Sequence, residues 1–372
     1  MPAVSEGTTI TTPAPAPRAA VPPALAELRP RIDAALDRTL AQALPRLGAA
    51  HPSLEPQAEE LRSFLAGGKR IRPGLLMLGF RAAGGQRLEA VEGPAVALEL
   101  LHACALLHDD VIDQAPQRRG RPSVHEAFAA QHRQAGWVGD AEAYGRAVAI
   151  LLGDLAFTLA DEAFLEASVP SVALLEGFRR YTVLREEVMI GQALDLHAAT
   201  ARLTDRQLAL QVATLKSGRY SVARPLELGA VLAGADEALV AGLLAFGDPL
   251  GRAFQLADDL LGVVGDPAAT GKSTSSDLEE GKRTLLIAEA AARLDAPEQQ
   301  ELEAALGRGP LAAATVERIR RLLDDSGALA AVREEIDRAI AAADAALAKL
   351  ELPGSATSAL REVAGYLGER SS

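Results

Sequence analysis

Leu100-Leu-His-Ala-Cys-Ala-Leu-Leu-His-Asp-Asp-Val-Ile-Asp113 is the stretch that decides the fold. It is an apolar helical run that ends in three carboxylates, Asp109, Asp110 and Asp113. Asp109 and Asp113 are one helical turn apart and project from one face. The negative end of a helix dipole opposes acids on its last turn, so these three need a counter-charge. A hard divalent cation such as Mg²⁺ supplies it, taking carboxylates together with phosphate oxygens. Arg118 and Arg119 follow at once, and a guanidinium suits bidentate phosphate recognition. The plain alternative is a solvated acidic helix end beside a basic loop. The arginines and a second acidic run further on weigh against it.

That second run is Phe254-Gln-Leu-Ala-Asp-Asp-Leu-Leu-Gly262, with Asp258 and Asp259 inside an apolar helix. Gln255 lies one turn earlier on the same face. Gly262 stands where the first run has Asp113, so a third acid is missing. A change of Gly262 to Asp is expected to be tolerated and not needed. Asp266 follows, but Gly265 and Pro267 end the helix, and it is not assigned as a ligand. Two acidic clusters this far apart face each other only if their helices are neighbours in a bundle, where helical proteins build such sites.

Basic groups complete the pattern. Gly68, Lys69 and Arg72 form one set, in which glycine frees backbone amides for an anion. Arg118 and Arg119 form a second. Lys216 is read as ending a short helix, Asp205 to Ser217, and Lys272 and Lys282 flank a Gly, Thr and Ser-rich loop. A lone lysine is more often a surface residue than a ligand. Together, however, these groups suffice for two diphosphates.

Composition narrows the field. The chain has 372 residues, and 49% are apolar, so a large core is available. Aromatics are only 3%, which with abundant Ala and Leu favours helix over sheet. A net charge of −12 argues against nucleic acid as a partner. Cys104 is the only cysteine, so no intrachain disulfide can form, and it reads as a small core residue. No apolar run reaches the roughly 18 residues of a membrane span. No basic region precedes an apolar core at the N-terminus, so the cytoplasm is the expected location.

Residues 1–22 are Pro, Ala, Thr and Ser with little else, and read as a disordered tail. One domain, 23–372, follows. Apolar positions Leu25, Leu28, Ile32, Leu36 and Leu40 predict an amphipathic helix from Pro23 to Leu47. Further helices are predicted over Leu54–Leu65, Pro73–Ala83, Arg87–Asp113, Ala141–Ala167, Val172–Ala199, Val222–Ala233 and Asp236–Val264. No strand pattern is evident. The fold class is an all-α, single-domain helical bundle.

The combined motifs resemble those of trans-isoprenyl diphosphate synthases, the polyprenyl synthetase family. The resemblance is carried by Gly-Gly-Lys-Arg-Ile-Arg-Pro at 67–73, His-Asp-Asp-Val-Ile-Asp at 108–113 and Arg-Arg-Gly at 118–120. It continues through Gly-Gln-Ala-Leu-Asp at 191–195, Lys-Ser at 216–217, Phe-Gln-Leu-Ala-Asp-Asp at 254–259 and Asp-Leu-Glu-Glu-Gly-Lys at 277–282. It implies a bundle around a deep central cavity, the isoprenoid synthase fold, and a homodimer.

The resemblance also implies roles. Asp109, Asp113 and Asp258 would bind two to three Mg²⁺ ions. Arg118, Lys216, Gln255, Lys272 and Lys282 would hold an allylic diphosphate (dimethylallyl, geranyl or farnesyl). Gly68, Lys69, Arg72, His102 and Arg119 would hold isopentenyl diphosphate. Asp110 and Asp259 belong to the same catalytic groups. Ser217 stands where the family often has Thr, and His102 has a plain reading as a satisfied helix histidine.

Cys104 and Ala105 lie below Asp109 on roughly the same face, where enzymes of the family that stop at fifteen carbons tend to carry aromatics. Both are small, and a geranylgeranyl (C20) product is expected. Alternatives are a C15 or longer product, a class I terpene cyclase, or a non-catalytic synthase subunit.

Overall fold

A computed structural model of the chain describes residues 21–264 and 275–368. The proposed tail lies almost wholly outside the described residues, as do Lys272 and Asp266. The described chain is an all-α bundle with one minimal β-hairpin.

Helix α1 (Pro23–Ala43) buries Leu25, Leu28, Ile32, Leu36 and Leu40, the expected stripe. It stops before Leu47 because Pro45 has no N–H to continue the ladder, and α2 (Pro45–Ala50) starts there instead. Helices α3 (Glu55–Leu65) and α4 (Ile71–Ala82) follow. A 3₁₀ turn at Leu88–Val91 leads into α5 (Glu92–Ile112), the helix of the first acidic run.

Strands β1 (Gln117–Arg118) and β2 (Arg121–Pro122) pair antiparallel, with Arg118 opposite Arg121. The turn between them places Arg119 at φ 53° and Gly120 at φ 74°, the positive pair that a tight hairpin requires. This corrects the strand-free expectation. A ladder of two residues is too short to show alternation in sequence.

Helix α6 (Val124–Gln134) precedes α7 (Ala141–Leu165), capped where the Asp140 side chain accepts from the Ala143 N–H. Then come α8 (Ser171–Ala201) and α9 (Arg206–Val212), the latter capped by Asp205. A π-helical segment, Ala213–Ala223, joins α9 directly to α10 (Arg224–Leu232). Lys216 therefore does not end a helix, as its sequence suggested, but sits within a continuous helical run. A π segment is commonly found at functional sites.

Helix α11 (Glu237–Val264) carries the second acidic run. The remainder is α12 (Ser276–Glu280), α13 (Leu285–Ala291), α14 (Ala296–Ala305), α15 (Ala313–Asp325), α16 (Ala328–Leu347) and α17 (Gly354–Gly368).

Helix α5 is the axis of the larger core. It packs most extensively on α7, while α11 packs on α16 and on the π segment. An 18-residue stretch within Leu88–Ile112 has a mean hydropathy of 1.5, apolar enough to cross a membrane by composition, which corrects the sequence expectation. Within the fold 72% of that stretch is buried against the other helices. Helices α7 and α8 meet through long side chains: Phe164 stacks on Tyr181 at 4.8 Å, and Arg185 Nη1 donates to Asp161 at 2.7 Å.

Candidate active site

The two acidic runs approach each other around Lys282, which acts on both Asp113 and Asp259, and Lys216 sits beside the first run. Lys216 Nζ lies 2.6 Å from Asp195 Oδ2 and 3.6 Å from Asp109 Oδ1. Burial opposes the Lys216 charge, but Asp109 and Asp195 outweigh it and raise its pKa. The backbone of α8 comes very close here, since a Cβ on Gly191 would lie 2.3 Å from the backbone nitrogen of Lys216. Glycine at 191 thus lets α8 deliver Asp195 to the lysine.

Lys282 is the cation between the runs. It lies 2.5 Å from Glu280 and 3.2 Å from Asp277, and its charge is stabilised by both and by Asp113.

The acids differ in their partners. Asp110 is 1% exposed and is fully engaged by Arg118. Asp109 Oδ1 is buried with no hydrogen bond. Asp113 caps α5, its N–H donating to the Asp109 carbonyl at 2.8 Å. Burial, and then the Asp109 charge, push its carboxyl up to about 7.

On α11, Asp258 is exposed, and Asp259 accepts from Gln255 Nε2 at 2.7 Å. Burial and the Asp277 charge push Asp259 up to about 8. These carboxylates have more negative charge than local cations neutralise, which fits a divalent ion. Among the described residues, no three carboxylates, histidines or cysteines converge tightly enough to enclose a metal. Mg²⁺ does not need an all-protein cage, because it retains waters and takes substrate phosphate oxygens.

A separate cationic set surrounds His102. Arg72 Nη2 donates to Ser221 Oγ at 2.8 Å and its guanidinium covers the Tyr220 ring at 4.3 Å. The Arg72 Nε and His102 Nδ1 atoms are buried without a hydrogen bond. Burial, followed by Arg72, Arg119, Arg118 and Arg70, pushes the His102 pKa well down, so the ring is neutral. Lys69 and Arg119 are exposed, and among the described residues neither forms an ion pair. Gly68 lies in the same loop at φ 93°, a conformation suited to glycine. Ser217 lies next to Lys216, half-buried.

Sequence reasoning did not single out several groups that the fold brings here. Asp195, Asp277 and Glu280 hold the two lysines, and Ser221 and Tyr220 hold Arg72. Asp195, Asp277 and Glu280 were already inside the motif stretches, which was the available signal. Arg70, in the midst of the Gly-Gly-Lys run, is instead structural. It is 5% exposed and bonded to Asp33, Glu99 and the Leu65 carbonyl.

Cys104 is buried, with Sγ 3.8 Å from His108 Nδ1, and burial pushes its thiol up to about 12. Ala105 is half-buried beside it. A separate cavity of about 270 Å³, lined by Val111, His125, Glu126 and Arg146, involves none of the candidate residues.

Known proteins share this arrangement of sequence and fold. A model of the polyprenyl synthetase family matches residues 57–323. A (2E,6E)-farnesyl diphosphate synthase of Mycobacterium tuberculosis is 35% identical over 277 residues, covering 68% of this chain and 71% of that protein. A geranylfarnesyl diphosphate synthase of Aeropyrum pernix is 33% identical over 269 residues, covering 71% and 78%. Geranylgeranyl pyrophosphate synthase from Corynebacterium glutamicum, crystallised with isoprenyl diphosphate and magnesium, superposes with a TM-score of 0.89 at 35% identity, covering 93% and 99%.

Proposed function

The chain belongs to the polyprenyl synthetase family of prenyltransferases, and on that premise we propose that it condenses isopentenyl diphosphate head-to-tail with allylic diphosphates to give geranylgeranyl diphosphate. The observation that carries this reading is the presence of two distinct cationic sets. One, Lys216 and Lys282, lies among the acids. The other, Arg72 and Arg119, acts on His102, and Lys69 stands three residues before Arg72 in the loop that leads into α4. A terpene cyclase has one diphosphate to bind and no use for the second set.

Asp109, Asp113 and Asp258 would hold Mg²⁺, which neutralises the leaving diphosphate. Lys216, Lys282 and Gln255 lie beside these acids and would orient the allylic diphosphate. Loss of that diphosphate leaves an allylic cation. The Arg72 set holds isopentenyl diphosphate so that its double bond attacks the cation. Neutral His102 can donate a hydrogen bond there without adding charge. A proton then leaves the condensed product to form the new double bond, and the released diphosphate can accept it.

The low-dielectric surroundings of α5 protect the cation from water. Ala105 and Cys104 are small, so a growing tail would pass them along α5. The relatives' names span farnesyl, geranylgeranyl and geranylfarnesyl products, and the small residues at 104 and 105 favour passage beyond fifteen carbons.

We also propose a homodimer. Leu151 on α7 and Val172, Leu175, Met189, Ile190 and Leu196 on α8 are exposed and apolar, as an interface between copies requires.

Incubation with labelled isopentenyl diphosphate, Mg²⁺ and each allylic primer tests the activity, with products dephosphorylated and separated by length. A C20 product is expected. No elongated product from any primer would overturn the prenyltransferase assignment, whereas C15 or C25 as the main product would overturn only the chain length.

A further inference from the structure

Gly262 lies inside α11, one turn beyond Asp258 and Asp259, where a helix has no backbone need for glycine. Glycine in a helix interior costs about 1 kcal/mol relative to Ala, so its presence calls for a spatial reason. That reason is Asp277. A Cβ at position 262 would lie 2.3 Å from Asp277 Oδ2 and 3.0 Å from its Cγ. The carboxylate of Asp277 therefore fills the volume that a side chain on residue 262 would occupy.

Asp277 arrives from α12, a separate piece of the chain, and is firmly held. Lys282 Nζ lies 3.2 Å from its Oδ1, and the Lys282 N–H donates to its carbonyl at 3.0 Å. Its side chain is only 16% exposed. The carboxylate is therefore not a solvated surface group that happens to pass by.

We infer that Asp277 supplies, from α12, the third carboxylate that the second acidic run lacks at Gly262. Glycine at 262 and an inward Asp277 are then one arrangement. An acid at both positions would force two carboxylates into contact, which costs both space and like-charge repulsion. This inference rests on the reading of Asp258 and Asp259 as part of a Mg²⁺–diphosphate site.

The test uses the full chain and inorganic diphosphate as the probe, its binding measured by calorimetry with and without Mg²⁺. Asp277→Asn keeps the side chain's shape and removes its charge, so folding is least disturbed. It is expected to weaken Mg²⁺-dependent diphosphate binding on the order of 10- to 100-fold, the usual effect of losing a carboxylate at a metal site. Gly262→Asp alone, expected from the sequence to be tolerated, is instead expected to weaken binding comparably, because Asp277 already fills that volume. The pair Gly262→Asp with Asp277→Ala returns one carboxylate to one volume, and is expected to recover most of the binding.

Unchanged binding in Asp277→Asn overturns the inference, and so does a folded double variant no better than either single change. If the wild-type chain binds no diphosphate with Mg²⁺, the functional reading fails first and this inference falls with it.

Discussion

The Arg118 guanidinium forks onto the buried carboxylate of Asp110, with Nε 2.7 Å from Oδ2 and Nη2 2.5 Å from Oδ1. The pair joins the end of α5 to the hairpin that carries Arg119. Of the three acids that close α5, one is thus bound to the fold itself.

Arg118→Ala is therefore expected to destabilise the protein, not only to weaken substrate binding. It leaves the Asp110 carboxylate buried and uncompensated, at a cost of roughly 3–5 kcal/mol. Denaturant midpoints of the ligand-free protein check this. A variant as stable as the wild type would show that water replaces the guanidinium.

Asp109 and Asp113 lack such a partner, and their expected role is in turnover. Asp109→Ala or Asp113→Ala should reduce the rate on the order of 10²-fold or more, by analogy with loss of one group stabilising transition-state charge. Steady-state kinetics in saturating Mg²⁺ measure it. Near-normal turnover would remove both residues from the proposed metal site.

Stability should depend on pH with a defined sign. Asp113 is raised to about 7 and Asp259 to about 8, from an ordinary value of 3.8. Between the ordinary and raised values the folded state binds more protons than the unfolded one. Stability of the metal-free protein should therefore fall as pH rises from about 4 to about 8, and these two groups should add no further loss above that. Mg²⁺ with inorganic diphosphate replaces those protons, so its stabilising effect should be larger at pH 8.5 than at pH 5.5. Melting temperatures at the two pH values decide the matter, and the opposite order would contradict it.

Ala105→Phe is expected to shift the main product from twenty carbons to fifteen while Mg²⁺-dependent turnover survives. Cys104 faces His108, whereas Ala105 is half-buried and is the position where a ring would meet a tail running along α5. A ring there adds volume that a close-packed interior accommodates poorly. Product length in wild type and variant is the measurement. An unchanged distribution from an active variant would place the limit on other helices, with the Tyr181–Phe164 stack between α7 and α8 as the next position to vary.

The helical class, the larger helices and the residue types gathered at the site were legible in the chain alone. Apolar residues recurring at three and four positions dictate which face is buried, and acids one turn apart must share a face. These are local relationships, fixed by helix geometry before any tertiary contact exists. The tertiary structure decided the partners. Asp110 reads like Asp109 and Asp113 in sequence, yet only the hairpin's return brings Arg118 to it. Lys216 looked like a helix terminus because the sequence carries no marker for a π segment, which depends on packing against α8 and α11. Gly262 looked like a vacancy open to an acid, and the fold places Asp277 in that volume. Each depends on residues distant in sequence meeting in space, and hydrophobic periodicity contains no record of such meetings.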